Sequence, residues 1–207
     1  MELCGQPEVR IPSFCSTSDR LSETFQGMRN RTIRNVSCWA VLFISTTSIL
    51  HGGAEERIVS KYTSTARKTA ISFKTHKGEG GEADGFEGLF AGLGGYQLVH
   101  LSGDERSWIN VRHGKVTQDL YQETMEAAGG TFPNKENDVV EWRGVERGGH
   151  FIPFAIIYRM RAGNDETRKT HQRLIVIKLD AEHSKVVGHA EGKDEDAEAK
   201  RLADKSR

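Results

Sequence analysis

PFAIIYRMR, residues 153–161, places Phe154, Ile156, Tyr158 and Met160 on one side of an extended chain and Ile157, Arg159 and Arg161 on the other. Successive side chains of a strand point to opposite faces, so this period of two is the pattern of a half-buried β-strand. Residues 173–180 repeat it with Ile175, Ile177 and Leu179 on one side, and residues 185–190 follow after the turn Ala181-Glu182-His183-Ser184. That spacing predicts a hairpin. Residues 138–145 read as a further strand around Glu141-Trp142-Arg143.

Working back toward the N-terminus, residues 96–101 and 107–112 form a second expected hairpin across the polar turn Ser102-Gly103-Asp104-Glu105-Arg106. YTSTARKTAISFKT, residues 62–75, is rich in β-branched residues and reads as one strand. A helix is expected over residues 118–128, with Thr117 as cap, Val116 stapled onto Tyr121, and Gly129 as the stop. At the C-terminus an acidic start at 194–196 precedes AEAKRLADK, in which Ala199, Leu202 and Ala203 make a narrow apolar stripe. Short strands, hairpin-length connections and no strand–helix–strand alternation define the expected class. It is α+β: a single antiparallel β-sheet domain built from hairpins, with one or two short helices including a C-terminal one.

Residues 28–54 carry a different signal. Arg29, Arg31 and Arg34 make a positive segment without acids, and nine of the thirteen residues from Cys38 to Leu50 are apolar. That run has the length of a signal-peptide core and falls short of the roughly 20 residues of a spanning helix. Gly52 and Ala54 supply the small residues read by a signal peptidase, so cleavage is expected after Ala54. Residues 1–27 show no periodicity and read as an unstructured extension, or as the product of a start placed upstream of Met28. Residues 55–207 form the expected domain, exported to the periplasm or cell exterior, with no stable membrane span once the leader is cleaved. Cys4, Cys15 and Cys38 all precede this domain, which leaves it without a disulfide or thiolate chemistry.

Charge and motifs narrow the functional classes. Residues 55–207 hold 24 Lys and Arg against 25 Asp and Glu with no basic block, a balance that argues against nucleic acid as a partner. Gly78-Glu79-Gly80-Gly81-Glu82-Ala83 has the spacing of a dinucleotide fingerprint. A phosphate cradle also needs a following helix N-terminus, whereas Gly85, Gly88 and Gly92 forbid a helix and Glu79, Glu82, Asp84 and Glu87 repel phosphate. Residues 78–88 therefore read as an acidic loop and Gly92-Leu93-Gly94-Gly95-Tyr96 as a tight lead-in to a strand. The seven histidines after residue 55 show no zinc-type spacing. No cofactor or metal is expected.

Besides a membrane-tethered protein that keeps residues 36–50 uncleaved, two functional classes remain. The first is a non-catalytic binding or structural module whose aromatic and basic anchors are Tyr96, Arg106, Trp108 and Trp142. The second is an envelope-associated hydrolase using Asp104 or Glu105 with His100, His113 or His150 as an acid–base pair.

The runs Gly92-Leu93-Gly94-Gly95-Tyr96, Gly103-Asp104-Glu105-Arg106-Ser107, Val140-Glu141-Trp142-Arg143, Pro153-Phe154-Ala155-Ile156, Leu174-Ile175-Val176-Ile177-Lys178-Leu179 and Val187-Gly188-His189-Ala190 carry one more observation. In order and spacing they resemble small exported proteins of unknown function common in alphaproteobacteria. The resemblance spans most of residues 62–207 and implies a compartment and a domain extent, without an activity. Cysteines of that pattern are replaced here by Phe90-Ala91 and Lys185-Val186, so the resemblance implies no disulfide in this chain.

Overall fold

The computed structural model describes residues 56–78, 80–164 and 167–207; the expected leader and the residues before it lie outside the described residues. The strands in chain order are β1 (Arg57–Ser64), β2 (Ala70–Lys77), β3 (Ala83–Ala91), β4 (Tyr96–Gly103), β5 (Arg106–His113) and β6 (Val116–Gln118). After helix α1 (Tyr121–Ala128) come β7 (Thr131–Lys135), β8 (Val139–Arg147), β9 (His150–Asn164), β10 (Lys169–Lys178), β11 (Lys185–Ala190) and helix α2 (Glu195–Lys205). All strand pairings are antiparallel.

The strands form two sheets, which corrects the single sheet expected from the sequence. One is a meander in the order β2-β3-β4-β5-β6; the other runs β1-β8-β9-β10-β11, with β7 also paired to β9. The division originates in residues 62–75, which do not make one strand. Ser64 Oγ accepts the Ala66 N–H at 3.1 Å, and Thr69 Oγ1 donates to Ala66 O at 2.7 Å across a short 3-10 turn at Arg67–Thr69. Hydroxyls next to the backbone favour such local turns over a continuing ladder. The chain thus leaves the second sheet after β1 and enters the first with β2.

The inner faces of the two sheets meet in one core. Phe90, Leu98, Ile109 and Val111 come from the meander, and Val140, Trp142, Ile156, Tyr158, Met160, Ile175 and Ile177 from the other sheet. The reverse face of that second sheet is also covered: Ala155, Ile157, Leu174, Val176 and Ala190 pack with Ala199 and Ala203 of α2. Alanines on the helix stripe let its backbone approach closely, and Arg143 grips Asp204 bidentately, with Nε–Oδ1 at 3.0 Å and Nη2–Oδ2 at 2.7 Å. β9 is therefore buried on both faces over Ala155–Tyr158, rather than half-buried.

Two local expectations also change. Thr117 does not cap a helix but lies in β6, where its hydroxyl accepts from Arg112 Nε at 3.0 Å. The helix starts later, with Asp119 Oδ1 taking the Tyr121 N–H at 3.1 Å, and stops at Gly129 as the sequence indicates. Residues 83–88, read as part of a loop, belong to β3. Gly85 and Gly88 fit there because a Cβ would meet Ser102 O at 2.1 Å and the Phe90 ring at 2.6 Å respectively. Gly94 and Gly95, with φ of 62° and 87°, make the tight lead-in to β4.

Candidate binding site at the Asp104–Glu105 turn

β4 and β5 are joined by Asp104 and Glu105 alone, with φ of 50° and 60°. A two-residue hairpin with both residues left-handed matches strand twist, and Asn-Gly is the usual choice because side chains are strained there. Arg106 Nη1 pairs with the Asp104 carboxylate and also donates to Asp104 O at 3.1 Å. Its guanidinium carbon lies 5.1 Å from the centre of the Phe132 ring. β7 fastens onto this turn: Asn134 Nδ2 donates to Glu105 O at 2.5 Å, and the Lys135 N–H donates to Ser107 Oγ at 2.9 Å.

β7 carries a bulge. Thr131 pairs with Gly163 and Asn134 with Arg161, so Phe132 and Pro133 stand opposite the single residue Ala162. Proline donates no ladder bond and is at home in a bulge, which re-aims its neighbour's side chain. Phe132 takes φ of 47° and is 44% exposed. A left-handed aromatic residue is a true conformational outlier. Beside it runs a groove of about 570 Å³ whose polar lining includes Asn134, Arg161, Asn164, Arg168 and Lys169.

A second groove of about 710 Å³ lies at Asp104 and Glu105 and is lined further by Arg67, Phe73, Phe86 and Asp84. Phe73 and Phe86 stack with centroids 5.1 Å apart, and Arg67 lies 4.7 Å over Phe73. His100 meets Phe86 edge-on at 4.9 Å, and its Nε2 is buried without a hydrogen-bond partner. Burial, then the Lys135 charge, pushes its pKa down to about 4. Burial likewise pushes Lys135 down to about 8, against a smaller upward pull from Asp138.

Backbone strain is concentrated at these two grooves. Among the described residues, the non-glycines with positive φ are Asp104, Glu105, Phe132 and Arg168. The first two line one groove and the last two the other. Residues held in such conformations gather at ligand clamps and active sites, where the surrounding structure sustains the strain.

Of the four anchors read from the sequence, Arg106 lies at this site. Tyr96 pairs with His113 at the far end of the same hairpin, seven positions from Gly103, a distance of roughly 23 Å. Trp142 is fully buried with Nε1 donating to Thr63 Oγ1 at 2.8 Å. Its ring and the Tyr96 carbonyl both crowd Gly92, where a Cβ would meet them at 2.5 and 2.6 Å, so the corner is packed solid. The Trp108 ring packs 4.7 Å from Tyr121, with Nε1 buried and unpartnered. Of the acid–base candidates, Asp104 and Glu105 sit on the turn, and His100 is the nearest histidine, buried against Phe86 with Nε2 unpartnered and not among the residues that line the groove at the turn; His113 lies against Tyr96 at the far end, and His150 opens β9 in another hairpin.

Phe132 and the whole of β7 were not legible as a site. The available signal was one aromatic residue next to proline in the otherwise polar run Thr131-Phe132-Pro133-Asn134-Lys135-Glu136-Asn137-Asp138. Among the described residues no group of three or more metal-ligating side chains converges, and no helix is long and apolar enough to cross a membrane. Comparison with protein-family models, curated proteins and solved structures finds no match to this chain.

Proposed function

We propose that this protein is an exported, non-catalytic binding module whose ligand site is the pair of grooves at Phe132 and at the Asp104–Glu105 turn, linked by Arg106, which pairs with Asp104 and lies over the Phe132 ring. The observation that carries the site is the gathering of strained residues: Asp104, Glu105, Phe132 and Arg168 all lie on these grooves. An exposed aromatic ring held in place by a stacked guanidinium is a rigid anchor that loses little entropy when a ligand arrives. Export rests on the charge order and small-residue end of residues 28–54 and on the resemblance to small exported proteins. A hydrolase finds less support, because the candidate carboxylates and histidines do not share a cleft.

Two measurements test the proposal. N-terminal sequencing of protein recovered outside the cytoplasm should begin at Glu55; an intact leader, or product confined to the cytoplasm, defeats the localisation. A fragment screen read by amide chemical shifts should place its hits at Phe132, Arg106 and Asn134. Hits concentrated at the Tyr96–Trp142 corner instead would move the site.

A further inference from the structure

A separate pocket of about 220 Å³ lies on the α2 side of the second sheet, floored by Ile157 and Leu174. A change of register opens it. β8 pairs with β9 as far as Glu141 opposite Ile157, and β7 takes over at Lys135 opposite Met160. Residues 136–140, five in all, therefore run past only Tyr158 and Arg159 on β9. Tyr62, Glu141 and Ile157 are aligned as cross-strand partners and so share a face, the one that carries Ile157 against α2. Arg159, two positions beyond Ile157, is on that face too, and Asp196 and Lys200 reach the pocket from α2.

The pocket contains polar atoms that the fold leaves open. Glu141 is 7% exposed; its Oε1 accepts from Ser60 Oγ at 2.5 Å and lies 3.8 Å from Lys200 Nζ. No hydrogen bond from a described residue reaches Oε2, and that oxygen is not sealed from the pocket. A carboxylate oxygen in so buried a side chain calls for a donor. Arg159 spends Nη1 on Glu195 Oε1 at 2.5 Å and Gln172 Oε1 at 3.2 Å, while Nε and Nη2 have no described partner. Asn137 accepts the Val139 N–H through Oδ1 at 2.9 Å, which leaves its NH₂ as a donor.

Size and charge narrow the ligand. At roughly 30 Å³ for each water the volume holds about seven waters, which suits one small molecule and not a chain. Lining acids Glu141 and Asp196 balance lining cations Arg159 and Lys200, so a zwitterion fits better than a net ion. The undescribed residues 165 and 166 follow Asn164, five strand positions or roughly 17 Å from Arg159. An open acceptor, open donors and an apolar floor define the three groups the ligand carries.

We infer that this pocket binds a free α-amino acid with an apolar side chain. Its ammonium meets Glu141 Oε2, its carboxylate meets Arg159 and Asn137, and its side chain lies on Ile157 and Leu174 beside Tyr62. The test titrates the ¹⁵N-labelled full chain with L-leucine, N-acetyl-L-leucine, L-leucinamide, glycine and L-leucyl-L-leucine. Leucine at millimolar concentration should shift the amides of Glu141, Arg159 and Lys200. The acetylated and amidated forms, each lacking one charge, should bind about ten-fold more weakly, and glycine should also be weaker. Glu141→Gln should abolish the leucine shifts. Tyr62→Ala, at a 59% exposed position, should weaken leucine several-fold without changing the thermal midpoint, and it carries the test if Glu141→Gln does not fold. Absence of leucine shifts at these amides overturns the site. N-acetyl-leucine as tight as leucine overturns the ammonium contact, and tighter leucyl-leucine reassigns the pocket to peptides. Fragment hits at Phe132 are unaffected by any of these outcomes, so this pocket and the binding module above stand or fall separately.

Discussion

His100 shares a face of β4 with Leu98 and pairs with the fully buried Ile109, which puts its ring on the inner side of the meander sheet, edge-on to Phe86. There burial favours the neutral ring, so its pKa falls from 6.5 to about 4. Because the folded value is the lower one, the unfolded chain binds the proton first as the solution is acidified. Stability contributed by this group is fully present above 6.5 and is lost as pH falls toward 4. By pH near 4.5 the loss is roughly 2.5 kcal/mol, since each pH step of one below 6.5 costs about 1.4 kcal/mol. His100→Gln removes the titration, so urea unfolding between neutral pH and pH near 4.5 should show a drop smaller by about that amount than in the parent protein. Equal drops would mean that His100 is protonated or solvated in the fold. At Glu105 the reasoning is steric: a left-handed non-glycine costs about 1–2 kcal/mol, and the hydrogen bond from Asn134 goes to its backbone oxygen. Glu105→Gly should therefore raise stability by about 1 kcal/mol, or roughly 2–4 °C in thermal midpoint. The polar turn at this place was readable from the sequence. Its contraction to two left-handed residues was not, because Asp tolerates positive φ without requiring it and Glu in the second place, where glycine is usual, signals none.

Among the elements, α2 was the most legible and β1 the least. Acids at Glu195, Asp196 and Glu198 favour a helix N-terminus, and the Ala199, Leu202, Ala203 stripe is visible in the sequence alone. What fastens the helix was not visible, since Arg143 and Asp204 are sixty-one residues apart and meet only through the order of β8 in its sheet. Arg143 also donates to Ser60 Oγ at 2.8 Å, and Ser60 Oγ lies 2.5 Å from Glu141 Oε1. Arg143→Ala would thus remove a bidentate grip and loosen a linked polar cluster, at a cost of about 2 kcal/mol. Arg201→Ala breaks an exposed pair with Glu198 within the same helix and should cost no more than about 0.5 kcal/mol. Hydrogen exchange of the α2 amides should accelerate in the first variant and not in the second; equal behaviour would show that the Arg143–Asp204 contact does not anchor the helix. Residues 62–75 misled because β propensity reports an extended chain and carries no information on which sheet receives it. The decisive contacts, Ala66 N–H to Ser64 Oγ and Thr69 Oγ1 to Ala66 O, are local, but they use the same β-branched and hydroxyl residues that suggest a strand.

At the scale of the whole molecule, the order of layers follows from β9 and β10. Alternation in residues 153–161 marks a strand with Ile156, Tyr158 and Met160 on the inter-sheet core, but Phe154, expected on that same side, packs instead with the cluster on the α2 side, beyond an irregularity in the β8–β9 pairing, and Ala155 and Ile157 are buried on the α2 side as well. Leu174-Ile175-Val176-Ile177 in β10 is apolar at every position and buried at every position. A continuous apolar run of this kind belongs to a strand covered on both faces. Among the described residues the middle sheet is thus the only layer in contact with both outer layers, and its α2 face has no other cover. Removing residues 194–207 should expose Ala155, Ile157, Leu174, Val176 and Ala190 as one apolar surface. A bare patch of that kind drives association, so the truncated chain should self-associate in light scattering and bind a hydrophobic dye that the full chain excludes. The sheet-to-sheet core, built on other side chains of the same strands, should survive, with near-native strand content by circular dichroism. A monomeric, dye-silent truncation would mean that the two sheets close on their own and that α2 only decorates them. Complete loss of strand content would mean instead that the two cores fold together, in a single cooperative step.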